Sequence, residues 1–260
     1  MPASFPSYRS RYLPAMTLAQ IAALPDKART PVVIATGAIE QHGPQLPVAV
    51  DSFLGQVWLT RIFAALPDEV RAVVAPPITV GKSNEHVGFP GTLYISKDTL
   101  RAQLLALARQ LHAWGFRSLL ILNTHGGNTA VLRYTAREIE ATLGMQAGFI
   151  RNGAKLEGLT PLEMAYGFHA NTAETALLYA TAPQFTRPAD APCHYPARIE
   201  DPGELRPENA PATYSWASQD ISPHGVMGDA TVATAEKGQE WLEVATAGYV
   251  AGLTEHAASL

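Results

Sequence analysis

The feature that most constrains this chain is a short apolar run, Val32-Val33-Ile34-Ala35-Thr36, that stops at Gly37 and is followed at once by ionisable residues. A β-branched run with no polar alternate positions belongs to a strand buried on both faces, as in parallel sheets. Ala72-Val73-Val74-Ala75, halted by Pro76-Pro77, reads as a second such strand. Between them Phe53, Val57, Ile62 and Phe63 recur at roughly helical spacing until Pro67-Asp68 closes the segment. Ser96 predicts an N-cap, with Leu100, Leu104, Leu107 and Leu111 one helical face apart before Gly115. Leu119 to Leu122 predicts another strand, Asn128 to Gly144 a helix, and Ala147 to Ile150 a strand after it. Repeated β-α-β alternation predicts an α/β fold whose mainly parallel sheet is covered by helices on both faces.

The 260 residues contain no long polar tract, which suits one domain spanning 1–260. Within it, 186–223 is proline-rich and poorly periodic, and reads as an ordered excursion or lid anchored by Tyr195, Tyr214 and Trp216. Only 16% of residues are charged, which suggests surface hidden in a homo-oligomer. A formal charge of −4 without any Lys/Arg run argues against nucleic acid or acidic membrane as partners, leaving small molecules. The single Cys193 has no disulfide partner within the chain. With no secretory-type apolar region near the start and no membrane-length apolar stretch, the expected location is cytoplasmic.

Three clusters carry chemistry. Glu40 and His42 follow the first strand, with Asp51 nine residues beyond His42. Sites in open α/β sheets lie at the carboxyl ends of strands, and an extended Glu-x-His would place carboxylate and imidazole on one side. One imidazole with two carboxylates suits zinc, manganese or iron. His125, in Asn123-Thr124-His125-Gly126-Gly127-Asn128, ends another predicted strand on the same edge. Gly126 and Gly127 would permit close backbone approach, and the amides around them and Asn128 could hold a substrate oxyanion. In His169-Ala170-Asn171-Thr172-Ala173-Glu174, Glu174 is a further ligand candidate or a helix N-terminal carboxylate. His169 is a proton carrier, an orienter of Glu174 or a cap. Glu85 and His86, before Phe89-Pro90-Gly91, are substrate contacts or loop scaffolding. Gly81-Lys82-Ser83 ends like a P-loop, but Pro76 stands where its first glycine is required, and neither GxSxG nor GxGxxG occurs.

Taken in order, Gly37 to Pro44 with Asp51, Gly81 to His86 with Phe89 to Leu93, Asn123 to Asn128, His169 to Thr175, and Gly225 to Asp229 with Ala233 to Gly238 resemble the creatininase family over most of the chain. The resemblance implies a three-layer α/β/α sandwich, commonly hexameric, with a divalent metal site of two ions per subunit that hydrolyses amide C–N bonds. It maps Glu40, His42, Asp51 and His125 onto the ligands, with Asp51 as the bridge. Creatininase is expected to carry a carboxylate where this chain has Gly127, which turns attention from creatinine and makes Glu174 the substitute ligand. The chemistry implied is a metal-lowered water pKa, attack on a small amide substrate and proton delivery by His169. Relatives of this type include a deformylase of flavin biosynthesis and a peptidase of cofactor-peptide maturation. A purely structural metal site predicts a closed shell of the kind that favours cysteine, unlike this ligand set.

Overall fold

The computed structural model describes residues 5–196 and 216–260. Tyr214 and much of the proline-rich segment therefore lie outside the described residues. Strands β1 (Val32–Thr36), β2 (Val73–Val74), β3 (Ser118–Asn123) and β4 (Gln146–Phe149) form one parallel sheet in the order β2-β1-β3-β4. The longest pairing sets Val32 opposite Leu119 and runs through to Thr36 opposite Asn123.

Side chains alternate across a strand, so the unbroken apolar runs feed two cores. Val33, Ala35, Leu120 and Leu122 enter one core, while Val32, Ile34, Leu119 and Ile121 enter the other. Helix α1 (Leu18–Ala23) is short and capped by Thr17. The first core is closed by α2 (Val50–Ala65), α6 (Thr172–Thr181) and α8 (Ala235–Ser259). The second is closed by α3 (Lys97–Ala113) and α4 (Thr129–Leu143). This is the three-layer α/β/α arrangement. Ser96 caps α3 by accepting from Thr99 N at 3.1 Å, and Gly144 ends α4 at a φ of 61°.

Helices α5 (Pro161–Tyr166) and α7 (Ser218–Ile221) are short, and β5 (Cys193–His194) pairs antiparallel with β6 (Gly228–Asp229). Neither this small sheet nor the 25-residue α8 was drawn from periodicity. The chain leaves β1 toward β2 and returns past it to β3 and β4, so its direction reverses at β1. A crevice at the carboxyl ends of β1 and β3 follows from that reversal. No helix among the described residues is long and apolar enough to cross a membrane.

Candidate metal centre

Gly37 is what lets α2 reach the end of β1. A Cβ there would fall 2.7 Å from Ser52 N and 2.9 Å from the Asp51 carbonyl carbon. Ser52 Oγ donates to Ala38 O at 2.8 Å and Thr124 Oγ1 to Asp51 O at 2.7 Å, tying the first turn of α2 to both strand ends. Asp51 is thereby held inside the crevice, 2% exposed.

Residues 40–42 are not the extended strand that the Glu-x-His spacing suggested. Beyond Thr36 the chain makes only an isolated bridge, Ile39 with Leu93, and Glu40, Gln41 and His42 are all buried. The segment is held by Glu40 N donating to Val48 O at 2.8 Å and Gln41 N to Thr92 Oγ1 at 3.2 Å, not by strand pairing. Asp51 Oδ1 lies 3.5 Å from His42 Nε2, while Asp51 Oδ2 lies 3.3 Å from His125 Nδ1. Glu40 Oε1 lies 3.2 Å from His125 Nδ1 and 3.5 Å from both His169 Nδ1 and His86 Nε2. Glu174, opening α6, joins His42 and His169 in a second group whose ligand atoms lie within 4.8 Å of one another.

The outer nitrogens of three imidazoles meet backbone carbonyls, which can only accept. His42 Nδ1 therefore donates to Glu40 O at 3.1 Å, His125 Nε2 to Lys82 O at 3.0 Å and His169 Nε2 to Gln41 O at 2.7 Å. In their neutral forms His42 Nε2, His125 Nδ1 and His169 Nδ1 consequently turn lone pairs toward the carboxylates. That arrangement orients histidines for a metal. Glu40 Oε2, His42 Nε2 and Asp51 Oδ2 are buried without any hydrogen-bond partner, so the residues present fit a divalent cation.

The electrostatics agree. Burial opposes charge on His42, yet Asp51, then Glu174 and Glu40, raise it to about 9. His125 is likewise raised against burial by Glu40 and Asp51. Asp51 resists burial and is held low by His42 and His125. The carboxylates thus demand positive charge, which protons supply on the imidazoles when a cation does not. His169 is different: burial and then His42 bring it down to about 4. Its ring stacks 4.1 Å from His86 and 4.4 Å from His42, a column that full protonation would disfavour.

Glu174 fills the helix-start role considered for it and stands beside two candidate ligands, His42 and His169. Its Oε2 accepts from Ala170 N at 2.6 Å, and its N–H donates to Asn171 Oδ1 at 2.9 Å, so it helps start α6. Burial pushes its carboxyl up to about 7.

The glycine pair divides in function. Gly126 has open space at its Cβ position, but a Cβ on Gly127 would meet Glu85 Oε1 at 1.9 Å and Lys82 O at 2.7 Å. Glu85 is ion-paired with Lys82 at 2.7 Å and approaches His125 Nε2 at 3.6 Å. His86, expected as a substrate contact or loop scaffold, is buried among the candidate ligands, 3.5 Å from Glu40 Oε1. Asn128, also expected at the substrate, has both ends of its carboxamide on backbone, accepting from Lys82 N at 2.9 Å and donating to Gly37 O at 3.0 Å. Gln41 was missed, because a glutamine between two ligand candidates gives no signal of its own. His224 and Cys193 are exposed and stand apart from the cluster.

Four imidazoles and three carboxylates gathered in one crevice define a hydrolase-type metal centre, and the family match gives its reaction, hydrolysis of C–N bonds. The chain belongs to the creatininase family: the profile described as creatinine amidohydrolase matches residues 14–253. It is 32% identical over 213 residues to the mycofactocin precursor peptide peptidase of Mycobacterium ulcerans, covering 80% of this chain and 78% of that one. It is 26% identical over 246 residues to the creatinine amidohydrolase of Pseudomonas putida, covering 86% and 88%. The solved structure titled "Creatininase Mn" superposes with a TM-score of 0.73 at 21% identity, covering 94% of this chain and 98% of that one.

Proposed function

We propose that the chain hydrolyses a C–N bond in a small, cyclic or linear, non-peptide amide, with Glu40, His42, Asp51, His125 and Glu174 holding two divalent ions per subunit. The observation that carries this reading is Asp51, whose two oxygens face two different histidines, His42 and His125, as a bridging carboxylate would. Zinc, manganese or iron suits the mixture of imidazole and carboxylate. When bound, such an ion supplies Lewis acidity and lowers the pKa of water toward neutrality.

The protein residues do the remaining work. His169 keeps its Nε2 proton on Gln41 O, so Nδ1 is the atom free to take a proton and return it to the departing nitrogen. Glu174, grouped with His42 and His169, either completes the ligand set or shares a proton with His169. Glu85, Gly126 and Gly127 line the approach beside His125, with Lys82 neutralising one oxygen of Glu85. Exposed Val87, Leu93 and Tyr94 support subunit contacts of a homo-oligomer, hexameric by family resemblance, and the expected location is the cytoplasm.

A second reading, cleavage of a peptide, is favoured by the Mycobacterium ulcerans relative. Metal analysis followed by a screen of cyclic amides, linear amides, formamides and short peptides separates the two. Chelator-sensitive turnover confined to non-peptide amides supports the proposal, and turnover of peptides alone overturns its substrate class.

A further inference from the structure

His86 is the fourth imidazole in the cluster, and its environment differs from the other three. Among the described residues no backbone carbonyl meets its outer nitrogen. His86 Nδ1 lies 2.9 Å from Gln41 Nε2 and 2.7 Å from Ser218 Oγ, the latter at the start of α7. Both partners are buried.

The orientation of the Gln41 carboxamide is forced at each end. Its Oε1 sits 2.9 Å from Gly43 N, which can only donate, and its Nε2 sits 3.0 Å from Gly225 O, which can only accept. One Nε2 hydrogen therefore serves Gly225 O. The other has two imidazoles within reach, His86 Nδ1 at 2.9 Å and His169 Nε2 at 3.1 Å. His169 Nε2 already donates to Gln41 O, so it cannot accept there. The second hydrogen goes to His86 Nδ1. A proton on His86 Nδ1 aimed at Ser218 would instead set two N–H groups against each other across 2.9 Å.

We propose that His86 is a positioning residue and not a metal ligand: Gln41 and Ser218 hold its Nδ1 as an acceptor, so its Nε2 carries the proton and presents it to Glu40 Oε1. Glu40 Oε1 then has one N–H neighbour, His86 at 3.5 Å, and two lone-pair neighbours, His125 and His169. The proton fixes which way the Glu40 carboxylate faces, leaving its orphaned Oε2 for a cation. The inference rests on the metal-hydrolase reading, but its test separates the two.

The direct test is a two-bond ¹H–¹⁵N correlation spectrum of the full chain labelled with ¹⁵N-histidine, with and without zinc. His86 is identified by the signal lost in His86→Gln. The expected pattern is a protonated Nε2 and a bare Nδ1 that zinc leaves unchanged, while other histidines shift. A protonated Nδ1, or a zinc-shifted Nε2, overturns the inference. If zinc moves no histidine, the metal reading fails, and the His86 pattern still decides this one. Chelator competition is the second measurement. His86→Ala should weaken metal binding about 10- to 100-fold, and His86→Gln, which restores an N–H, should recover most of it. Unchanged affinity in His86→Ala, or no recovery in His86→Gln, also overturns it.

Discussion

Glu85 occupies the space that any side chain at Gly127 would need, with its Oε1 only 1.9 Å from where a Cβ would stand. The glycine is required less by that movable carboxylate than by His125 Nε2 and the Lys82 carbonyl, 2.4 and 2.7 Å from the same point. Gly127→Ala should expel Glu85 and disturb His125, lowering metal affinity about 10- to 100-fold in a chelator competition. Gly126→Ala, which meets nothing within 4 Å, should leave it close to wild type. Equal effects from the two substitutions would contradict the packing described for Glu85.

Gly37 makes a second prediction, about stability. A methyl group there meets Ser52 N at 2.7 Å, and a backbone atom in the first turn of a helix cannot swing aside as a side chain can. Gly37→Ala should cost about 1–3 kcal/mol in urea unfolding, as overpacking of a tight contact does. It should also weaken metal binding, because the same turn carries Asp51. A wild-type midpoint in urea would show that α2 does not depend on that approach.

The pH dependence of the metal-free protein follows from His42 and Glu174. His42 rises from 6.5 to about 9, so its contribution is fully present below about pH 6.5 and is lost as pH climbs through 9. Glu174 rises from 4.5 to about 7, so its charging across that interval destabilises in the same direction. Asp51, held low, loses its contribution only in acid. His169, brought down to about 4, works the other way below about pH 6.5, so the metal-free Tm should fall from about pH 7 to pH 9. A cation competes with these protons, so the gap between zinc-loaded and metal-free Tm should widen over the same interval. A gap that narrows with pH in scanning calorimetry would contradict this electrostatic account of the cluster.

His169 and Glu174 should separate by function. His169→Ala should keep its metal while kcat falls about 10²–10⁴-fold and KM changes much less, the signature of a lost proton carrier. Glu174→Ala should lose metal as well as rate. Should Glu174→Ala retain full metal content, Glu174 is a base or an orienter, and should His169→Ala lose metal, His169 belongs to the ligand shell.

The strands and helices of the sheet were legible because Val32–Thr36 and Ser118–Asn123 are buried on both faces and so contain no polar alternation to obscure them. The Ser96 cap and the Gly144 stop were equally plain, since each satisfies a local requirement of the helix end. The short β5–β6 pair was not, because two-residue strands leave no period to read. Glu40, His42, Asp51 and His125 could be placed on one edge from topology alone. The depth of His86 could not, since it depends on Gln41, Ser218 and the Gly225 carbonyl, three partners distant in sequence that only the folded chain brings together.

Elemental analysis of the purified chain after zinc loading and gel filtration tests the metal centre most directly. Wild type should retain about two ions per subunit, the number a bridged hydrolytic centre uses. Asp51→Ala, with its fold verified by circular dichroism, should lose most of that metal and nearly all turnover. Full metal occupancy with normal activity in Asp51→Ala would contradict the centre built here around Asp51.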